Sequence, residues 1–401
     1  MRVLVFEPKF VGHFIGFALA ACRAFVEVGC EVTLALSRDA RGSEAASVKL
    51  RDVPKGVQID YTLEVPKVYR KWTNARLESS ALEQELAIRD PDWIVAPSAD
   101  FLAPGLLLNR RLRQRVARLK GADFILHNCR QTYPRPAFRE RPELWLDRLT
   151  LNLLAGIRLH TVDEYALSGD AAGRMAVLGQ PVRFLPHFFD RRADRVEKSE
   201  ARHRLGLNQD AWWIGSAGDL GRRKGTELLI ESFAAVARST DANLALFGCL
   251  SESSRDAIRK VPHLVEAGRI VFHDRFVSDS EFSDFFPAMD AVWVGYPRQV
   301  GMSSTLLFAA DAMKPVIAID YGGVGWTVRK YHLGVVCRAD RESVVSQIRS
   351  LSTQKPTRVN DEGVKQFLET NSTPNFNWAI TAGVRAADAS LDSSITTRVI
   401  E

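Results

Sequence analysis

Short apolar runs alternate with longer amphipathic segments along most of the chain. The apolar runs are bounded by glycine, proline or polar residues, which is typical of buried parallel strands, and the segments between them have the period of helices. This alternation predicts an α/β fold with two parallel sheets. The predicted strands are residues 2–8, 31–36, 92–97, 123–129, 157–167 (leading into a helix), 183–189, 212–217, 244–248, 269–273, 291–295 and 315–320.

A charged stretch with few apolar residues, 190–206, separates two sets of predicted strands. A chain of 401 residues also exceeds what one hydrophobic core usually serves. We therefore predict domains at residues 1–192 and 193–370, with 190–206 as a linker or as the first helix of the second domain. An amphipathic helix at 375–392 is expected to pack back on the first domain.

Composition narrows the range of partners and compartments. The chain has 54 basic and 48 acidic residues, and its formal charge of +6 is too small to indicate a nucleic-acid-binding protein. The five cysteines are scattered without metal-ligand spacing, so we expect reduced, buried thiols and no metal site. Met1 leads directly into a predicted strand, and no run of eighteen apolar residues occurs. These features predict a cytoplasmic protein.

Residues 212–238 have the pattern of a strand, a polar turn and a helix. The turn begins at Gly218 and carries Arg222, Arg223 and Lys224. A loop between a parallel strand and a helix presents backbone amides, and cations there suit a phosphate group. A solvated basic turn is the alternative.

A second loop of this kind follows the predicted strand 291–295. Gly301, Ser303, Ser304 and Thr305 stand at the start of a predicted helix. A serine here is expected to cap the helix, and the free amides would also bind a diphosphate, at about 0.3–2 kcal/mol for each favourable placement.

Two sites in the first half are candidates for ligand contacts. Gly12 and His13 enter the predicted helix 11–29, where a small residue lets a ligand approach the backbone. His127 lies at the end of a predicted strand, where parallel sheets place functional groups. A surface histidine at position 13 and a structural histidine at position 127 are the alternatives.

The predicted helix that ends in the tract 109–120 is amphipathic and cationic. It would suit peripheral contact with the inner face of an anionic membrane, and a solvated outer surface is the alternative. Among its basic residues, Arg110, Arg111, Arg113, Arg118 and Lys120 face away from the predicted apolar stripe.

The second half carries a series of short motifs in a fixed order. They are GDLGRRKG, the strand end LFG, IVFHDRF and LLFAADAMKPVIAIDYGG. With these motifs the second half resembles a retaining glycosyltransferase of family four. The resemblance implies the B-type glycosyltransferase fold, in which two Rossmann-like domains face each other across a cleft. It also implies a nucleotide-sugar donor held mostly by the second domain, a glycan or lipid-linked acceptor held by the first, and no metal or other cofactor.

The same resemblance assigns roles to individual residues. It implies that Lys224 neutralises the donor diphosphate, with Arg223 beside it, and that His127 contacts the donor sugar. The remaining implied donor-binding residues are Gly12, His13, Gly218, Arg222, Gly248, Arg275, Phe276, Gly301, Ser303, Ser304 and Thr305.

Three positions depart from the family pattern. Val300 and Phe308 occupy the places of its two glutamates, and Asp219 replaces an arginine. Losing one charge-assisted hydrogen bond costs about 1.5–3 kcal/mol, so donor binding would be weakened rather than abolished. A catalytically silent module that binds a nucleotide or glycan is therefore the second hypothesis. A nicotinamide-dependent dehydrogenase is disfavoured because neither half opens with GxGxxG.

Overall fold

The chain forms two compact units. The structure is a computed structural model, and it describes residues 1–10, 13–65, 71–127, 129, 132–133, 157–171, 182–191, 196–353 and 359–398. The first unit comprises Met1–Phe188 and Asn371–Glu401, and the second comprises Phe189–Thr370. The second unit is thus inserted into the first along the chain.

The described part of the first unit has a sheet of seven parallel strands in the order β3-β2-β1-β4-β5-β6-β7. The strands are β1 (Arg2–Glu7), β2 (Glu31–Ser37), β3 (Val57–Leu63), β4 (Trp93–Ala96), β5 (Gly121–Leu126), β6 (Arg158–Thr161) and β7 (Arg183–Phe184). The helices are α1 (Phe14–Glu27), α2 (Glu44–Lys49), α3 (Lys71–Arg89), α4 (Leu102–Leu108), α5 (Arg110–Val116) and, at the end of the chain, α15 (Thr373–Arg398).

The described part of the second unit has a sheet of six parallel strands in the order β10-β9-β8-β11-β12-β13. The strands are β8 (Trp212–Ala217), β9 (Ala242–Phe247), β10 (Ile270–His273), β11 (Ala291–Val294), β12 (Val316–Ile319) and β13 (Gly334–Cys337). The helices are α6 (Lys198–Arg204), α7 (Thr226–Val236), α8 (Glu252–Arg259), α9 (Pro262–Glu266), α10 (Asp279–Ala288), α11 (Ser304–Asp311), α12 (Gly322–Lys330), α13 (Arg341–Thr353) and α14 (Asp361–Thr370).

Helices bury both faces at the centre of each sheet, which explains why most strands are apolar throughout rather than alternating. In the first unit, one face packs against α1 and α15, whose Phe17, Phe25, Phe376 and Ile380 are at most 3% exposed. The last helix is therefore part of the core of the first unit.

The predicted α/β fold with two parallel sheets is confirmed. Two strands, β3 and β13, were not predicted. The predicted helix that ends in the basic tract is wrong in one respect, because it is two helices, α4 and α5, separated at Asn109. The side chain of Asn109 accepts a hydrogen bond from the Leu112 amide at 2.9 Å and so caps α5.

The stretch 190–206 is not only a linker. Its described part contains α6, in which the buried Arg202 donates to a carboxylate oxygen of Asp290 at 2.7 Å and to the carbonyl oxygen of Ala288 at 2.9 Å. The prediction of buried cysteines holds for four of the five, whereas Cys249 is exposed.

Strand order reverses at the middle of each sheet. In the first sheet the reversal lies between β1 and β4, and in the second it lies between β8 and β11. In open α/β sheets, ligands bind beyond the carboxyl ends of the two strands at such a reversal. A ligand site is therefore expected in the loops that follow these four strands.

Candidate functional site

The loops after β8 and β11 adjoin each other at the reversal point of the second sheet. Gly225 is the N-cap of α7 and has a φ of 62°, and a Cβ there would lie 2.3 Å from the carbonyl oxygen of Gly295. Trp293 Nε1 donates to the carbonyl oxygen of Lys224 at 2.8 Å. A glycine and a tryptophan thus hold residues 218–225, the β8 turn, against residues 295–303, the β11 loop.

Lys224 lies almost buried between these two loops, with 8% of its surface exposed. Its ammonium donates to the carbonyl oxygen of Ala217 and lies 5.9 Å from the ring centroid of Tyr296. Among the residues that the structure describes, no carboxylate lies within ion-pairing distance of it. A nearly buried ammonium without a counter-ion is costly, so the site is electrostatically suited to an anion.

The two arginines of the turn are exposed, unlike Lys224. Arg223 Nη1 donates to the side-chain oxygen of Gln299 at 2.9 Å, and its Nη2 lies 3.8 Å from a carboxylate oxygen of Asp219. Arg223 therefore links the β8 turn to the β11 loop. Asp219, which departs from the family pattern, is partly neutralised by it.

The start of α11 contains a network of buried hydroxyl groups. Ser303 caps the helix by accepting from the Thr305 amide at 3.3 Å, and its Oγ donates to the Tyr296 hydroxyl at 3.2 Å. The Tyr296 hydroxyl lies 3.1 Å from Thr305 Oγ1. Ser304 is exposed as the first residue of α11, and Gly301 precedes it with a φ of 87°. The side chains of Ser303 and Thr305 are thus engaged within the protein, and Tyr296 was missed in the sequence.

Gly248 follows β9 and packs directly on the β8 turn. Its φ is 145°, and a Cβ there would lie 1.8 Å from the carbonyl oxygen of Gly218. Gly218 in turn has a φ of 102°. The structure thus gives both glycines a packing role, beside the role in donor binding that the resemblance implies.

Arg275 and Phe276 lie beyond β10 in the same unit. Arg275 makes two hydrogen bonds to the carboxylate of Glu281, at 2.9 and 2.5 Å. Phe276 is 83% exposed.

Phe308 is one of the positions that depart from the family pattern. Its ring centroid lies 5.4 Å from that of Phe189, and it packs within a cluster of phenylalanines.

In the first unit, His127 comes directly after β5. Its Nε2 donates to the carbonyl oxygen of Pro97 at 2.7 Å, and its ring packs edge to face on Phe17 at 4.9 Å and 5.4 Å from the His13 ring. Burial lowers the pKa of His127. His127 and the exposed His13 are therefore close together, and Gly12 lies outside the described residues.

A second polar cluster at this edge was not predicted. Glu7, at the end of β1, is fully buried and accepts from Ser98 Oγ at 2.6 Å and from the Lys9 amide at 2.9 Å. Glu78 of α3 is 2% exposed, and its Oε2 has no hydrogen-bond partner in the described part of the chain. Burial raises the pKa of Glu7 to about 7 and that of Glu78 to about 8.

Metal-binding clusters and membrane-spanning helices are both absent from the described residues. No group of three or more His, Cys, Asp or Glu side chains in the described ranges is placed to hold a metal ion. Among the same residues, no helix is long and apolar enough to cross a membrane.

Known proteins share this architecture over nearly the whole chain. Sucrose-phosphate synthase from Thermosynechococcus elongatus has 15% identity and a TM-score of 0.72, with 97% of this chain and 100% of that chain covered. Anabaena HepE in complex with UDP has 16% identity and a TM-score of 0.68, covering 96% and 100%. A glycosyltransferase from Rickettsia africae has 12% identity and a TM-score of 0.67, covering 97% and 98%.

Most of the second unit also matches a known family model in sequence. Residues 197–361 match the family model described as glycosyl transferases group 1. A comparison with curated protein sequences finds no match. The chain therefore has the B-type glycosyltransferase fold, and most of its second unit matches the sequence model of group 1 glycosyl transferases.

Proposed function

We propose that the protein is a metal-independent glycosyltransferase that moves a sugar from a nucleotide-sugar donor to a glycan or lipid-linked acceptor, with retention of configuration. The match of residues 197–361 to group 1 glycosyl transferases supports the sugar-transfer chemistry. The complexes of HepE with UDP and with UDP-glucose support a nucleotide-sugar as the donor. Retention and the acceptor class come from the family resemblance.

The observation that carries this proposal is the nearly buried ammonium of Lys224. It lies where the strand order of the second sheet reverses, and no carboxylate of the described chain neutralises it. A diphosphate supplies the missing negative charge and gains more from a desolvated ammonium than from one in water.

The reaction we propose breaks the bond between the sugar C1 and the departing diphosphate oxygen. Lys224, with Arg223 beside it, stabilises the charge that develops on that oxygen, and the start of α11 adds backbone dipoles. The acceptor oxygen bonds to C1 on the same face, and its proton passes to the departing diphosphate oxygen. No protein nucleophile takes part in this scheme.

A catalytically silent binding module is the second candidate. Phe308 favours it, because its ring is packed among the rings of Phe189, Phe282 and Phe286 where the family carries a carboxylate. Such a module would keep the anion-binding lysine and bind nucleotides without turning them over.

A thermal-shift and hydrolysis panel of UDP-, GDP- and ADP-sugars tests both candidates. At a hundred times Kd a ligand stabilises the folded state by about 2.7 kcal/mol, which corresponds to a rise in Tm of roughly 5–10 °C for a domain of this size. We expect one donor class to produce this shift and to be slowly hydrolysed. The matched variant Lys224→Met should lose both effects.

The outcomes separate the candidates. A shift without hydrolysis or transfer supports the silent module. If no donor shifts Tm, or if Lys224→Met responds as the native chain does, the anion site is wrong and the glycosyltransferase proposal loses its basis.

We also propose peripheral contact between the basic helix α5 and an anionic membrane. Arg110 and Arg111 are exposed beside Leu108, which is itself 58% exposed. Arg113 is less able to contact a membrane, because its Nη1 donates to the carbonyl oxygens of Leu106 and Leu107 at 2.7 Å. Flotation with phosphatidylserine vesicles should therefore be tested with Arg110→Glu and Arg111→Glu. Equal flotation of the double variant and the native chain would contradict this proposal.

A further inference from the structure

We infer that Tyr296 sets the spacing between the two anion-holding parts of the second unit, so that the site selects a diphosphate over a single phosphate. This inference rests on the proposed function, since it concerns the same site. Tyr296 is a positioning residue in this scheme, because it acts through Lys224 and through the first turn of α11.

The ring of Tyr296 faces one of these parts. Tyr296 is 2% exposed, and the Lys224 ammonium lies 5.9 Å from its ring centroid, at the limit of a cation–π contact. The carbonyl oxygen of Ala217 accepts from the same ammonium. If the ammonium moved, it would lose one of these two contacts, so both contacts favour its present position.

The hydroxyl of Tyr296 holds the other part. It accepts from Ser303 Oγ at 3.2 Å and lies 3.1 Å from Thr305 Oγ1. Ser303 and Thr305 are the residues on either side of Ser304, and they are 7% and 6% exposed. The Thr305 amide is already used by Ser303 Oγ, which leaves the Ser304 amide as the first donor of α11 without an acceptor in the described chain.

One side chain therefore fixes a cation and a helix start that follow neighbouring strands. Adjacent strands lie about 4.8 Å apart, which places the two loops side by side. A single phosphate can be held at the Lys224 ammonium alone. In this proposal a diphosphate contacts both groups, and only its binding depends on the distance between them.

The phenol hydroxyl can be removed without removing the ring. Tyr296→Phe keeps the ring that faces Lys224 and deletes the bonds to Ser303 and Thr305. Thr305→Val breaks the same network from its other end and keeps the side-chain shape. Tyr331→Phe is the matched control, because Tyr331 is a buried tyrosine of the same unit, 1% exposed, whose ring packs against Phe367.

Isothermal titration of the full chain with inorganic pyrophosphate and with inorganic phosphate measures the effect. We expect Tyr296→Phe and Thr305→Val each to raise the Kd for pyrophosphate by about fivefold to tenfold. Both should change the Kd for phosphate by less than about twofold. Lys224→Met should weaken both anions, and Tyr331→Phe should weaken neither.

The result that overturns the inference is a Tyr296→Phe variant that changes the two dissociation constants equally or leaves both unchanged. If this happens while Lys224→Met still abolishes binding, the proposed function stands and the role of Tyr296 is wrong. If the native chain binds neither anion, both proposals are wrong.

Discussion

Replacing Gly248 by alanine should destabilise the second unit strongly. The new Cβ would lie 1.8 Å from the carbonyl oxygen of Gly218 and 2.8 Å from its nitrogen. These are backbone atoms, so no side-chain rotation relieves the overlap. The backbone of the β8 turn would have to move away from the loop after β9.

That movement breaks a defined set of hydrogen bonds. The Gly218 amide donates to the carbonyl oxygen of Phe247 at 2.8 Å, and the Leu220 amide donates to that of Cys249 at 2.8 Å. The Ser251 amide donates back to Leu220 at 3.0 Å. Each bond contributes about 0.5–1.5 kcal/mol, and a non-glycine residue at a φ of 145° adds strain of about 1–3 kcal/mol. The expected loss in free energy of unfolding is roughly 3–7 kcal/mol.

Urea denaturation followed by tryptophan fluorescence measures this loss. The matched control is Gly268→Ala, because Gly268 also has a positive φ, 67°, but has no atom within 4 Å of the Cβ position. The control should lose only the conformational part, about 1 kcal/mol. If both variants lose the same free energy, the close approach of Gly248 to Gly218 has no energetic role and the reasoning fails.

Three further substitutions test individual features. Lys224→Met removes a nearly buried ammonium, so without ligand the free energy of unfolding should stay the same or rise by about 1 kcal/mol. A fall of about 1 kcal/mol, measured by urea denaturation, would contradict this. Burial raises the pKa of Glu78 to about 8, above the ordinary glutamate value of 4.5. Its protonated form therefore stabilises the fold fully below pH 4.5, and this contribution is lost as pH rises through 8. Glu78→Gln should therefore lose about 1.4 kcal/mol less per pH unit than the native chain between pH 5.5 and 7.5, and identical pH dependence would refute this. Gly383→Ala would place a Cβ 0.8 Å from Arg158 Nη1 and so displace the guanidinium from Asp123, which is 0% exposed. We expect the free energy of unfolding to fall by about 3 kcal/mol. A Tm within about 1 °C of the native value would contradict this.

Most of the sheet architecture could be predicted because strands buried on both faces are apolar throughout. β3 was missed although Val57, Ile59, Tyr61 and Leu63 alternate with polar residues, because this half-buried strand looks unlike its apolar neighbours. The break between α4 and α5 was missed because the helical period continues across Asn109. The side chain of Asn109 caps a new helix at this position, although the helical period is uninterrupted.

The candidate site was predictable where its chemistry is local. A strand followed by a basic turn and a helix indicated Lys224 from the sequence alone. Its burial and the absence of a carboxylate beside it in the described chain depend on loops far apart in the sequence. Tyr296 gave no signal because a tyrosine after an apolar strand is an ordinary core residue. The sequence indicated a ligand-binding role for Gly248. Its contact with Gly218 could not be predicted, because it forms only when β8 and β9 pair.

The way α15 completes the core of the first unit has a consequence for synthesis. Phe376, Ile380 and Val384 are fully buried in that core, yet the ribosome makes them after the whole of the second unit. The inserted unit is continuous in sequence and can fold as it emerges, while the strands made first must wait for the last helix. We expect nascent chains that end before Asn371 to expose the apolar face that α15 covers and to depend on chaperones until α15 has been made.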